Sequence, residues 1–185
     1  MQSLALTENL VEADLELTER QFAAVVEQHQ RSLVQLAFRL VGNAEDAKDL
    51  AQWAFAKLWL NRHRLDAERE VFHYLRKALV NLCIDHLRRR GKHEPGVEFD
   101  ENRFSRDPAN PLQQLEDQEL QNQLLRCIDA LKPKQKATIV LRDLEGYSVE
   151  ETAGMLACTK TNVLCNLHLA RENVRRKMQQ WVETK

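Results

Sequence analysis

The sequence predicts an all-α protein made of two small helical domains that are joined by a flexible acidic linker. Gly and Pro are scarce, at five and four of 185 residues, and apolar residues recur at helical spacing on both sides of an aperiodic stretch. That stretch contains Pro95, Gly96 and Pro108, and residues 94–119 carry eight acids against two bases. We therefore divide the chain into an acidic extension (1–17), a first domain (18–92), a linker (93–110) and a second domain (111–185).

Three helices are expected in the first domain. Thr18 and Gln21 form a capping box for a helix that Gly42 ends. Asn43 caps the second helix, whose core face is predicted from its spacing to be Ala47, Leu50, Ala54 and Leu58. The third helix should run from about residue 70 to Arg90.

The second domain should begin with a helix that Asn110 caps and Pro111 opens, followed by a helix from Pro133 through Leu144. Residues 142–176 are then typical of a helix-turn-helix. Its first helix begins at the S-x-x-E capping box of Ser148 and Glu151, and its second helix is capped by Thr159 or Thr161. The second helix has a predicted buried stripe of Val163, Leu167, Ala170 and Val174. An ordinary helical hairpin is the alternative for this segment.

Ala157 stands in the predicted turn, where glycine is frequent. If the turn requires a left-handed residue there, alanine costs about 1 kcal/mol.

The distribution of charge favours nucleic-acid binding more than the net charge of −1 suggests. Residues 21–93 carry 13 bases and 8 acids, and residues 132–185 carry ten bases and six acids. Two basic blocks separated by an acidic one suit two DNA-facing domains, since only the local field steers a protein onto a polyanion. Solvated helix faces would explain the same distribution.

Composition also excludes several classes. No apolar run approaches the roughly 20 residues that span a bilayer, and the acidic N-terminus is unlike a secretory signal, so we expect a cytoplasmic protein without direct membrane insertion. The four scattered cysteines match no disulfide or zinc pattern, and Cys83 with His86 would supply only two metal ligands. No catalytic constellation or phosphate-binding glycine loop is present, so we expect no enzyme, metal or cofactor.

Three segments together resemble one known family. DAKDLAQWAFAKLW (46–59), VFHYLRKALVNLCIDHLRRR (71–90) and LKPKQKATIVLRDLEGYSVEETAGMLACTKTNVLCNLHLAR (131–171) follow the order and spacing of bacterial RNA polymerase sigma factors of the sigma-70 family, extracytoplasmic-function type. The resemblance covers most of residues 20–180. It implies that the two domains are sigma regions 2 and 4, and that the chain binds core RNA polymerase, directs it to specific promoters and promotes DNA melting.

The resemblance also implies a polymerase-binding face on the second helix, which docks on the β′ coiled coil in this family; the β flap is the second expected contact. The residues concerned are Asp46, Asp49, Gln52 and Trp53. Trp53 stands where the family usually has an acid. It is either an aromatic anchor or a partly buried and inert residue.

The third helix should read and melt the −10 element. The residues expected on this surface are Phe72, His73, Tyr74, Arg76, Lys77, Asn81, Arg88, Arg89 and Arg90. The cations can follow phosphates, while the aromatic rings can stack on bases taken out of the duplex. The alternative is that Phe72 and Tyr74 belong to the core.

The last helix should contact the −35 element. Its expected DNA-facing residues are Lys160, Thr161, Asn162, Leu164, Cys165, Asn166, His168, Leu169 and Arg171. The family commonly has Lys or Arg, Ser, Arg and Arg at the positions of Leu164, Cys165, Asn166 and Leu169. Leucine can meet a thymine methyl but cannot bind guanine or phosphate. We therefore expect a weak or AT-leaning −35 contact, unless these leucines are buried against a partner.

A further partner implied by the resemblance is an anti-sigma factor, which could hold the chain at the inner membrane. The acidic linker would thread through the polymerase cleft, or would act only as a tether. A conventional helix-turn-helix repressor or activator working without polymerase is the alternative function, but it leaves the segment around DAKDLAQ unexplained.

Overall fold

The computed structural model of the protein describes residues 17–64, 68–91 and 111–184, and all regular secondary structure in these ranges is helical. The predicted all-α class is therefore confirmed. The helices are α1 (Glu19–Val41), α2 (Ala44–Leu60), α3 (Glu68–Arg90), α4 (Pro111–Asp129), α5 (Pro133–Ile139), α6 (Val149–Met155) and α7 (Lys160–Thr184). The N-terminal extension up to residue 16, the linker and the proposed Asn110 cap lie outside the described residues.

The first three helices form a bundle in which each helix packs against the other two. Thr18 and Gln21 make the predicted reciprocal capping box, and Gly42 ends α1 in the left-handed conformation with φ of 82°. The Asn43 side chain accepts hydrogen bonds from the first turn of α2, as expected for its cap. All four predicted core residues of α2 are buried, and Leu33, Leu40, Leu58, Leu75 and Leu79 are almost completely buried. Each such leucine contributes about 1.5–3 kcal/mol through its burial.

The second group of helices is organised by α7, which packs against α4, α5 and α6. A buried ion pair joins two of these helices, with 2.9 Å between Lys136 Nζ of α5 and Asp129 Oδ1 of α4. Removing only one partner of such a pair would leave an uncompensated buried charge. The ion pair therefore fixes how α4 and α5 meet, whatever its net contribution to stability.

Several predicted boundaries need correction. The helix expected from Pro133 to Leu144 is α-helical only to Ile139 and continues as a π-helical turn, Val140–Leu144, whose wider register brings the Glu145 N–H to the Val140 carbonyl at 3.0 Å. Helix α3 begins at Glu68, two residues before the predicted start. Helix α7 begins at Lys160, and its cap is Thr159, whose hydroxyl accepts a hydrogen bond from the Asn162 N–H.

The two groups of helices also pack against each other, because α3 contacts both α5 and α6. One continuous hydrophobic cluster includes buried residues from both groups. The sequence does not predict this contact. In the described ranges, no helix is both long enough and apolar enough to cross a membrane.

The turn of the helix-turn-helix contains the left-handed alanine that the sequence raised as a possibility. Ala157 has φ of 47°, and the Cys158 N–H bonds the Ala153 carbonyl at 3.0 Å. This bond closes a helix end of the kind in which glycine normally occupies the left-handed position. The alanine methyl group therefore adds strain to this turn.

We expect Ala157→Gly to raise the free energy of unfolding by up to about 1 kcal/mol, because glycine adopts positive φ without a Cβ clash. Urea denaturation followed by circular dichroism measures the change. Ala153→Gly is the matched control. Ala153 is helical and buried, so the same exchange there should destabilise the protein by about 1 kcal/mol or more. An equal loss of unfolding free energy in both variants would contradict the strain at Ala157.

Candidate polymerase and nucleic-acid interfaces

The outer face of α2 presents an aromatic residue beside acceptor groups. Trp53 is 64% exposed, which excludes the partly buried alternative, and Asp49 and Gln52 are also exposed. The opposite face of the helix is buried in the bundle. Leu60, at the C-terminal end of α2, is 70% exposed. It lies two helical turns after Trp53 on the same side of the helix, so it adds apolar surface to this face that the sequence did not predict.

Asp46 is less available than its neighbours on α2. Its Oδ2 atom accepts a hydrogen bond from Arg90 Nη1 at 3.4 Å and lies 3.3 Å from His86 Nε2. The carboxylate therefore ties the start of α2 to the end of α3. Asp46 and Arg90, which the sequence assigned to two different surfaces, face each other.

The aromatic residues expected on the −10 surface lie at the margin of the bundle. Phe72 is partly exposed and sits between the His29 ring, with centroids 4.5 Å apart, and the Arg76 guanidinium, 3.7 Å from its ring centroid. The Tyr74 hydroxyl donates a hydrogen bond to the Lys57 carbonyl at 3.4 Å. Both side chains are only partly buried, so neither is a fully enclosed core residue.

The polar residues further along α3 are held mainly within that helix. Asn81 donates to the Lys77 carbonyl at 2.9 Å. At the C-terminal end, Arg88 pairs with Asp85 at 3.1 Å, and Arg89 Nε donates to the Asp85 carbonyl at 3.4 Å. Lys77, Arg88 and Arg89 are exposed, so they remain accessible to a polyanion.

The face of α7 opposite its buried stripe is exposed, and it is unusually apolar for the DNA-contacting face that the sequence predicts. All four predicted stripe residues of α7 are buried. On the outer side, Leu164 is 54% and Leu169 is 45% exposed, with the exposed Thr161, Asn162, Cys165 and His168 around them. Asn166 is partly buried and donates a hydrogen bond to the Asn162 carbonyl at 2.8 Å.

The cations of this face are paired with carboxylates of the same domain. Arg171 donates from Nε and Nη2 to the two carboxylate oxygens of Asp143 at 2.9 and 2.6 Å, and these hydrogen bonds raise the pKa of Arg171. Lys160 forms an ion pair with Glu150, and its hydrogen bond lowers the pKa of that carboxyl group. His168 Nε2 lies 3.7 Å from Glu172 Oε2. The charge that Lys160 and Arg171 offer to phosphate is therefore partly offset.

A third area links the two groups of helices beside the expected −10 residues. The Arg76 guanidinium lies 4.9 Å from the Tyr147 ring centroid as well as over Phe72. A Cβ atom at Gly154 of α6 would lie 3.6 Å from His73 Nε2, so the α6 backbone lies close to that imidazole. Arg39 of α1 forms a partly buried ion pair with Glu145. Three predicted −10 residues thus lie at or beside the contact with the second group.

Comparison with known proteins identifies the class. Residues 25–93 match the model of Sigma-70 region 2, and residues 121–174 match that of Sigma-70, region 4. The RNA polymerase sigma-E factor of Streptomyces coelicolor is 30% identical over 159 residues, which cover 85% of this chain and 86% of that protein. The chain belongs to the sigma-70 family of RNA polymerase sigma factors, in its extracytoplasmic-function group.

A second relative is the ECF RNA polymerase sigma factor SigE of Mycolicibacterium smegmatis, which is 33% identical over 153 residues. The alignment covers 82% of this chain but 59% of the length of that relative.

Two solved structures share the fold. The sigma factor RpoE of Bartonella quintana, in complex with the anti-sigma factor NepR, has a TM-score of 0.64 at 17% identity, covering 86% of this chain and 98% of that one. CnrH, in complex with the cytosolic domain of CnrY, has a TM-score of 0.59 at 19% identity, covering 88% and 90%.

Proposed function

We propose that this sigma factor binds core RNA polymerase, directs it to specific promoters and promotes melting of the promoter DNA. The observation that carries the proposal is that matches to Sigma-70 region 2 and to region 4 occur in one chain. Each of these two regions has an exposed helix face beside its buried core. On α2 that face bears Trp53, and on α7 it bears Leu164 and Leu169. A regulator acting without polymerase would have no use for the α2 face.

Core polymerase is proposed to bind the outer face of α2 through its β′ coiled coil. Asp49 and Gln52 offer acceptors to a basic partner, while the exposed indole of Trp53 can fill a pocket as an anchor. Asp46 contributes mainly by holding the end of α3, since Arg90 and His86 already face its carboxylate. A second contact to the β flap is proposed for the second domain.

The −10 element is proposed to bind along α3. Lys77, Arg88 and Arg89 are exposed cations suited to phosphate, whereas Phe72 and Tyr74 present partly exposed rings. Stacking of a flipped base on an aromatic ring is worth about 1–3 kcal/mol, which is comparable with the roughly 1.4 kcal/mol per step lost when the strands separate. Capture of one or two bases can therefore support melting.

The −35 element is proposed to receive α7 in its major groove. Leu164 and Leu169 can contact thymine methyl groups, and Asn162 and Asn166 can contribute amide groups. Because Asp143 and Glu150 hold the nearby cations, phosphate binding is weak. This supports an AT-leaning −35 contact and leaves more of the promoter choice to the first domain.

An anti-sigma factor is a further proposed partner. The Bartonella quintana sigma factor described above is bound to the anti-sigma factor NepR, and CnrH is bound to the cytosolic domain of CnrY. A comparable partner here would cover the exposed apolar residues of α2 or α7 in the resting state, and a membrane-bound one would hold the chain at the inner membrane.

The proposal is tested by transcription from genomic fragments with core polymerase, with and without the chain, followed by mapping of the start sites. We expect starts that appear only with the chain and that share a −10 element and a weaker, AT-leaning −35 element. Binding to duplex DNA that is equally strong and selective without polymerase would instead support a conventional regulator.

Trp53→Ala should weaken binding to core polymerase by about tenfold or more, because the variant loses the exposed indole that is proposed to anchor this interface. Thermal stability should barely change, since the side chain is 64% exposed. Fluorescence titration of labelled protein with core polymerase measures the affinity. Gln28→Ala, at an exposed position on α1, is the matched control and should bind normally. Unchanged affinity of the Trp53 variant would remove this residue from the interface.

Asp143→Asn should release Arg171 for phosphate. We expect tighter binding of −35 duplex DNA by holoenzyme, and a slope of log affinity against log salt concentration that is steeper by about one. Binding isotherms at several salt concentrations measure both quantities. Glu183→Gln, which also removes one exposed carboxylate near the end of α7, is the control for net charge. The same slope in wild type and Asp143→Asn would show that Arg171 gains no phosphate contact.

A further inference from the structure

We propose that the groove between the C-terminal parts of α4 and α7 is a binding site for a small organic anion with an aromatic body, such as an aryl-substituted carboxylate. The groove is separate from the faces proposed above for the β′ coiled coil and for promoter DNA. The proposal stands on the groove alone and does not depend on the proposed function.

The groove lies along two helices that pack against each other. The described residues that line it include Gln123, Arg126 and Cys127 of α4 and Lys177, Gln180 and Trp181 of α7. Its volume is about 400 Å³. Sites for small molecules typically have volumes of roughly 300–1,000 Å³, so the groove is large enough for a ligand built on an aromatic ring.

The buried residue of the lining is Cys127, which forms the floor of the groove. It is 2% exposed, and its thiol donates a hydrogen bond to Met178 Sδ at 3.7 Å. Gln123 Nε2 donates in turn to Cys127 Sγ at 4.0 Å. Burial raises the pKa of Cys127, so the thiol is neutral and unreactive at physiological pH. The floor therefore offers packing surface, and polar recognition must come from the walls.

The walls of the groove carry positive charge. Among the described lining residues, those charged at neutral pH are Arg126 of α4 and Lys177 of α7, one from each helix. Lys177 also acts electrostatically on the Cys127 thiol and opposes the rise of its pKa, which places the ammonium group near the floor. Two like charges on facing helices repel each other, and an anion bound between them is attracted by both. The groove therefore favours a negatively charged ligand.

Trp181 and Gln180 determine the chemistry of the rest of the ligand. The Trp181 indole is only partly buried, so a planar ring can stack against its accessible part. Gln180 is exposed, and its amide can donate a hydrogen bond to a carboxylate oxygen. The guanidinium of Arg126 matches the planar geometry of a carboxylate. An aryl-substituted carboxylate combines the charge, the acceptor atoms and the ring that these side chains can bind.

The groove lies apart from the residues expected to contact DNA. The −35 residues of α7 end at Arg171, whereas the α7 side of the groove starts at Lys177. Between them lies Val174, the last buried residue of α7, and beyond it the described side chains are exposed or only partly buried. A ligand that contacts both helices would hold this end of α7 against α4. It would therefore stabilise the folded chain by mass action.

Proton–nitrogen NMR spectra of the full-length chain test the site directly. The chain has three tryptophans, so it gives three indole signals, and Trp181→Phe identifies the signal from the groove. We expect 3-phenylpropionate to shift the Trp181 signal saturably and to leave the signals of Trp53 and Trp59 in place. Two analogues should each bind at least about fivefold more weakly: 3-phenylpropanamide, which lacks the charge, and hexanoate, which lacks the ring. An unshifted Trp181 signal, or equal affinity for 3-phenylpropionate and either analogue, would overturn the proposal.

Two matched pairs of variants locate the binding in the groove. Gln180→Glu places a carboxylate in the lining and should weaken binding of 3-phenylpropionate at least about tenfold. Gln179→Glu makes the same change at an exposed position outside the lining and should bind like wild type. Lys177→Gln should weaken binding at least about threefold, and Arg175→Gln, also exposed and outside the lining, is its control. Equal affinity within either pair would overturn the site.

Thermal unfolding followed by circular dichroism gives a second readout. At roughly ten times its dissociation constant for wild type, 3-phenylpropionate should raise the unfolding midpoint of wild type and of Gln179→Glu by about 3 °C or more, and that of Gln180→Glu by about 1 °C or less. An equal rise in Gln180→Glu would mean that the compound binds elsewhere and would overturn the site. Both measurements use the chain without polymerase. A negative transcription test would therefore count against the proposed function and leave this result unaffected.

Discussion

The structure depends on helix α3 being packed on more than one side. It contacts α1 and α2 within the first bundle and α5 and α6 of the second group. Its buried residues, which include Val71, Leu75, Leu79, Val80, Cys83 and Ile84, are accordingly spread beyond a single i, i+4 stripe. The burial of Cys83 raises its thiol pKa to about 12 and makes it an inert packing residue. A helix with so much buried surface can present only a narrow band to DNA.

The second feature that shapes the proposed DNA surfaces is ion pairing within the chain. Several cations on the proposed DNA surfaces have a carboxylate partner within the chain, as Arg90 has Asp46, Lys160 has Glu150 and Arg171 has Asp143. Exposed ion pairs are worth about 0–1 kcal/mol, so this pairing contributes little to the stability of the fold. Its main effect is on the proposed DNA binding, because each carboxylate offsets the charge that its cation would offer to a phosphate.

Local features of the fold were predictable because their causes are local. The capping boxes at Thr18 and Ser148, the stop at Gly42 and the left-handed turn at Ala157 each follow from residues a few positions apart. The contact between the helical groups was not predictable, because Arg39 and Glu145 are 106 residues apart and leave no periodic signal. The π-helical turn at Val140–Leu144 was missed for a related reason, since one widened turn hardly changes the apolar spacing. Candidate site residues could be named from the sequence, but the residues that contact them within the fold could not.

The exposed leucines of α7 bear on what each of the two proposed DNA contacts contributes to binding. Leu164 and Leu169 stay in water in the free protein, so covering them with thymine methyl groups or a partner protein would gain free energy through apolar burial. That gain depends little on salt, whereas phosphate contacts weaken steeply as salt rises. Because Lys160 and Arg171 are paired with carboxylates, apolar contact is the larger contribution that the face around these leucines can make. The exposed Arg88 and Arg89 at the end of α3 keep a surface suited to phosphate. In the proposed function, salt-sensitive attraction to DNA therefore belongs mainly to the first domain, while the second adds a short-range, shape-dependent contact.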